Sequence, residues 1–178
     1  MAIVKNNYVK PNGGEKAKAK ATIRYIQNRP GLDNTKTSRT LFTSDGPLGR
    51  HDAYRMIDEA EKGSVFFRFV ISPDSQTEDT KKDLHLRSVT EHTMLSFEDH
   101  IKQQVQWVAA VHADHTPLRH VHIVAVVPAR MQRAEFQALP QALRQAATTA
   151  CLEQRQELDR AVIQQEQGRE EAVWERTY

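Results

Sequence analysis

Residues 112–127 read HADHTPLRHVHIVAVV, a run in which three histidines and an aspartate precede an unbroken apolar stretch. The spacing is His112-x-Asp114, then His120-x-His122. Alternate side chains of a strand share a face, so a strand starting at His120 projects His120 and His122 together. The residues before it, VQWVAAVH, also read as a strand, with Val108, Ala110 and His112 on one face. Ala113 to Arg119 is a seven-residue loop, which suits an antiparallel hairpin and folds His112 back beside the other two. Three imidazoles then converge on one point of a sheet with coordination positions left open, as in a catalytic rather than a structural metal centre. A lone histidine on a strand is ordinarily a core or surface residue. The His-x-His pair with a third histidine opposite makes ligation the better reading. Asp114 is placed to accept the second ring N–H of one ligand and fix its tautomer.

Outward from the hairpin, the chain alternates strands and helices. Ala2 to Val9 reads as a strand, Asn12-Gly13-Gly14 as a turn, and Glu15 to Asn28 as a helix ended by Pro30-Gly31. On that helix Ala19, Ile23 and Ile26 form the apolar stripe, and Tyr25 falls off it, beside Lys18 and Arg29. A core tyrosine would sit with the isoleucines; this one faces outward among cations. Arg39 to Thr43 is a short strand and Ser44-Asp45-Gly46-Pro47 a turn. His51 to Lys62 is a helix with Tyr54, Ile57 and Ala60 inward and Gly63 as its stop. VFFRFVI, residues 65–71, is dense in aromatic and β-branched residues and predicts a central strand. A long helix, continuous or broken once, covers Asp83 to Gln104, and a final helix begins at Pro140, leaving Gln164 to Tyr178 as an exposed helix or tail. The pattern is α+β: a mostly antiparallel sheet with helices packed on it.

The chain has 178 residues, sufficient for one domain with a real core. Its single cysteine, Cys151, excludes an intrachain disulfide and suits a reducing cytoplasm. The sequence MAIVKNNYVK lacks a signal peptide's apolar core, and no run is long and apolar enough for membrane insertion. The net charge of +2 is unevenly spread: residues 1–30 hold seven cations against one carboxylate, residues 131–178 six against eight. A basic surface on a near-neutral protein is a footprint for a polyanion, although lysines on a helix are more often simply solvated.

The pattern His112-x-Asp114-x5-His120-hydrophobic-His122 on a strand pair resembles the metal motif of plasmid relaxases. These belong to the HUH endonuclease superfamily, and the Mob-type relaxases of conjugation and mobilisation look closest. The resemblance implies an antiparallel sheet with the metal histidines on its central strands and an open face for DNA. It also implies a divalent cation (Mn, Mg or Zn) at His112, His120 and His122, and a tyrosine nucleophile. Relaxases place that tyrosine near the N-terminus, and Tyr25 in ATIRYIQNRPG resembles the site; Tyr8 is the runner-up, with a structural role the better account of it. Tyr54 reads as a helix-packing residue, and Tyr178 lacks the pattern of replication initiators. The expected reaction is site-specific nicking of origin-of-transfer DNA, single-stranded or hairpin, leaving a 5′-phosphotyrosine and a free 3′-OH. Accessory relaxosome proteins and a coupling protein would be the partners. Lys18, Arg24 and Arg29 would contact DNA, and Ser72 resembles a serine some relaxases place near it, though ending a strand before Pro73 explains it equally. His115, in the loop, reads as solvent-exposed before it reads as a proton donor, and His51, His85, His92 and His100 as structural or surface residues.

Three rival readings follow from the same residues. A rolling-circle initiator or transposase of the same superfamily would carry its tyrosine downstream of the histidines. A phosphoesterase would need two His-x-Thr/Ser motifs, whereas the sequence holds only one paired-histidine motif, His120-x-His122. A DNA-binding module could keep the metal for structure alone. The chain has no GxxxxGK[ST] phosphate loop, so it reads as a compact relaxase or the catalytic part of a longer protein.

Overall fold

The computed structural model describes residues 1–9, 13–114 and 116–177, with side chains as far as 169. Lys10, Asn12 (the first residue of the expected Asn12-Gly13-Gly14 turn), His115 and Tyr178 lie outside the described residues. The described residues form, in order, β1 (Ile3–Tyr8), α1 (Glu15–Asn28), β2 (Leu41–Thr43), β3 (Gly46–Leu48), α2 (Arg50–Asp58), β4 (Val65–Ser72), α3 (Leu86–Ile101), β5 (Gln106–His112), β6 (His120–Val127) and α4 (Arg133–Thr177). The strands make one six-stranded sheet in the order β1-β4-β6-β5-β2-β3, antiparallel at every pairing. The fold is therefore α+β, with one antiparallel sheet and four helices among the described residues.

Two separate apolar clusters lie on the two faces of the sheet. Strand side chains alternate, so β6, sandwiched between β4 and β5, must bury both of its faces, and it reads as a near-continuous run of valine, isoleucine and alanine. Val121, Ile123, Ala125 and Val127 join Phe67, Phe69, Trp107 and the buried residues of α3 and α4 on one face. Val124 and Val126 join Val108, Ala110 and Phe66 under Ala19, Ile23 and Ile26 of α1 and Ala53 and Ile57 of α2 on the other. His112, His120 and His122 occupy the even positions of β5 and β6. They therefore share the face covered by α1, at the end of the sheet where that cover runs out.

The boundaries of α1 agree with the sequence, and its buried residues are the expected three. Four expectations need correction. Gly46-Pro47 belongs to a strand, β3, which pairs with β2 around Ser44-Asp45; Gly46 adopts φ +112, a conformation glycine alone takes without strain. Helix α2 stops at Asp58, and Gly63, at φ +99, turns the chain into β4 five residues later. Helix α3 is one unbroken run from Leu86 to Ile101, shorter than expected at both ends: Asp83 pairs with Arg155 outside it, and Lys102 ends it in a left-handed conformation at φ +54. Helix α4 begins at Arg133, so Pro140 is interior, not initial. There it withholds one backbone donor from the carbonyl of Phe136, in a stretch whose Leu139, Leu143 and Ala147 are buried in the core. Among the described residues, no helix is long and apolar enough to cross a membrane.

Candidate metal centre and groove

The β5–β6 register pairs His112 directly with His120 and Ala110 with His122. Directly opposed residues of an antiparallel pair share a face, which brings the three imidazoles together. Their ring centroids lie 4.6, 5.0 and 5.2 Å apart. Each offers one ring nitrogen, and these atoms all lie within 4.8 Å of one another. Nitrogens bound to one cation at ~2.1 Å stand roughly 3.0–3.4 Å apart, so side-chain rotations of about an ångström close the set on an ion. The residues thus fit a divalent cation.

The tautomers follow from the hydrogen bonds. His112 Nε2 lies 2.7 Å from the carbonyl oxygen of Ile26, and His120 Nδ1 lies 3.1 Å from that of Leu118. A carbonyl can only accept, so these nitrogens carry the protons and the lone pairs sit on Nδ1 of His112 and Nε2 of His120. Burial is the main reason both rings resist protonation: His112 is pushed down to about 4, and His120 is also lowered. The nearby Arg39 guanidinium acts in the same direction on both, and Arg29 on His120. Neutral imidazoles near pH 7 are the form that binds metal.

Asp114 does something other than expected. The second ring nitrogens of His112 and His120 go to backbone carbonyls. The Asp114 carboxylate instead accepts both contacts of Arg39 Nη2, at 2.6 and 2.8 Å. Arg39 is buried and held on a third side, its Nη1 donating to the carbonyl of Arg29 at 2.8 Å. This arginine was not identified as a site residue from the sequence. It stands at the head of a predicted strand, and nothing in the local pattern distinguishes it from a solvated edge residue.

Tyr25 projects from α1 on the side away from its buried stripe, half exposed, with the Arg29 guanidinium 5.5 Å from its ring centroid. It lines an open groove of about 780 Å³. Lys18 and Thr22 share the α1 wall; Lys5, Asn7, Arg68 and Val70 contribute from β1 and β4, and His122 also lines it. The register explains that floor, because Lys5 opposes Val70 and Val70 opposes His122. Lys5 and Arg68 were missed as groove residues; strand parity gives their side, but only the β1–β4 pairing places them beside the histidines. Among the described residues, no carboxylate lines the groove.

The remaining candidates fall elsewhere. Arg24 is exposed outside the groove, and Ser72 is outside it too, its hydroxyl donating to the carbonyl of Arg119 at 3.4 Å. Tyr8 stands at an even position of β1, opposite Phe67, and its ring meets Phe67 and Phe136 on the far face of the sheet. Tyr54 lies against the α1–α2 core, with Lys20 Nζ 5.6 Å from its ring centroid. Cys151 is fully buried, and burial pushes its thiol up to about 12. Comparison with protein-family models, with curated proteins and with solved structures gives no match to this chain.

Proposed function

We propose that this protein nicks DNA by tyrosine transesterification at a metal-assisted site, in the manner of the relaxases of the HUH superfamily, on single-stranded or hairpin DNA at an origin of transfer. The observation that supports it most is one juxtaposition: a half-exposed Tyr25 and the metal-competent His122 line the same groove, along which the described residues include no carboxylate. Replication initiation or transposition would use the same chemistry. The position of Tyr25, upstream of the histidines, favours the relaxase.

His112, His120 and His122 would hold a divalent cation, which supplies charge neutralisation at the non-bridging oxygens of a scissile phosphate. Lys5, Lys18 and Arg68 bind the flanking backbone, and Arg29 keeps positive potential beside the phenol. The Tyr25 oxygen forms a bond to phosphorus as the bond from phosphorus to the 3′ oxygen breaks. The phenolic proton is given up and the 3′ oxygen ends as a hydroxyl. One phosphoester replaces another, so the reverse reaction reseals the strand without ATP. No water enters the bond exchange, which is why a tyrosine serves where a hydrolase would activate solvent.

The test is incubation with single-stranded DNA carrying the cognate origin, with and without Mn2+, followed by denaturing electrophoresis. A denaturation-resistant protein–DNA adduct, dependent on metal and absent from Tyr25→Phe, is expected. Equal adduct yield from that variant refutes the assignment. Tight DNA binding with no adduct under any metal leaves a non-catalytic binding module in its place.

A further inference from the structure

The C-terminal turn of α1 is tied to the metal centre by an unusual set of bonds. The last carbonyls of any helix lack an intrahelical donor. In α1 the carbonyl of Ile26 would ordinarily receive the amide of residue 30, which is Pro30 and has none. The His112 ring takes its place, donating Nε2–H to that oxygen at 2.7 Å. The next carbonyl, of Gln27, accepts the backbone amide of Arg39 at 2.9 Å. The carbonyl of Arg29 accepts the Arg39 side chain, whose other end grips Asp114 two residues beyond His112. The amide of Leu32 closes the ring by donating to the Asp114 carbonyl at 3.4 Å. Tyr25 immediately precedes the first of these captured carbonyls.

We infer that the His112–Ile26 bond couples occupancy of the metal centre to the nucleophile's helix, and that Arg39 is the positioning residue that holds the helix end where this bond can act. The inference rests on the nicking role proposed above for Tyr25. His112 has its two ring nitrogens committed in opposite directions, one toward the cation position and one toward Ile26. Fixing that ring on a cation therefore fixes the end of α1. Arg39 spans the same gap, from the loop bearing Asp114 to the carbonyl of Arg29, and keeps the Ile26 carbonyl within reach of the His112 ring; without that bracket the helix end drifts and the ring's state no longer reaches it. The negative end of the α1 dipole also points at this cluster, which favours a bound cation there. A lysine at position 39 keeps the charge but cannot bond the Asp114 carboxylate and the Arg29 carbonyl with one planar fork.

The experiment compares wild type, Arg39→Lys and Asp114→Asn, each first confirmed folded by thermal denaturation. Asp114→Asn loosens the same bracket from its more exposed partner. Amide hydrogen exchange is followed at Arg29 and Arg39, whose N–H groups bond to Tyr25 and Gln27, with and without saturating Mn2+ or Zn2+. Metal slows exchange at these amides by about fivefold or more in wild type, and by less than about twofold in both variants. Metal affinity measured by calorimetry stays within about threefold. The adduct-forming rate falls about 100-fold with DNA affinity little changed, since a misplacement near an ångström costs that much. Absence of metal-induced protection in wild type, full protection in both variants, or metal affinity and adduct rate falling in parallel overturns the inference. A wild type that shows the protection but forms no adduct fails the nicking role instead, and leaves the coupling standing.

Discussion

His112 carries two functions on one ring, and its burial has a measurable consequence. The side chain is inaccessible to solvent and its proton affinity is pushed from 6.5 down to about 4. In the unfolded chain the same histidine takes a proton near its ordinary value. Between those two pH values the unfolded state therefore binds more protons than the folded one, and stability rises with pH. Metal-free protein should lose on the order of 3 kcal/mol as pH falls from 6.5 to about 4, at about 1.4 kcal/mol per unit. His112→Gln should flatten that dependence in urea titrations across this window; an unchanged slope would place the effect elsewhere. Tyr25 is the second residue on which function turns. Its replacement by Phe removes one exposed hydroxyl, so the melting temperature should hold within ~2 °C and DNA affinity within about threefold. A large loss of stability would show that the phenol is a structural group.

At the scale of elements, α1 was legible from end to end. Its apolar stripe has the helical period, Pro30-Gly31 marks its stop, and Tyr25 departs from the stripe by an angle that periodicity alone supplies. The β5–β6 hairpin was equally legible, because the His-x-His spacing and the apolar run after it agree on a period of two. Tertiary bonds were not. Asp114 looked like a partner for histidine because the two are neighbours in sequence, whereas its partner, Arg39, comes from 75 residues away. Pro30 was read only as a helix terminator; that it also liberates a carbonyl for His112 needed the fold. The strand β3 was hidden in a Gly-Pro pair that ordinarily signals a turn, and Pro140 was misassigned because a proline at a helix start is the commoner case. The packing of α1 can be tested directly. Ile23 is fully buried between the helix and the sheet, so Ile23→Ala should cost about 2–5 kcal/mol in denaturant unfolding. A cost below ~1 kcal/mol would mean that α1 is not seated as described.

Over the whole molecule, a net charge of only +2 conceals a directed field, because the described residues lining the groove include the cations Lys5, Lys18 and Arg68 and no carboxylate. Neutralising Lys5, Lys18 and Arg68 one at a time, each to Gln, should weaken oligonucleotide binding without changing sequence preference. Each should also lower the slope of log K against log salt by about 0.7 for a single strand. Slopes unchanged in all three variants would move the DNA off this groove. The two sheet faces divide the labour: α3 and α4 seal one with a continuous apolar cluster, while α1 and α2 cover only part of the other and leave the histidine end open. The most direct measurement is peptide mapping by mass spectrometry of the adduct formed with metal and cognate single-stranded DNA. A nucleotide linked through phosphate to Tyr25, lost when any one of His112, His120 or His122 is replaced by alanine, is the predicted result. Linkage to Tyr8 or to a serine, or linkage that survives those replacements, would contradict it.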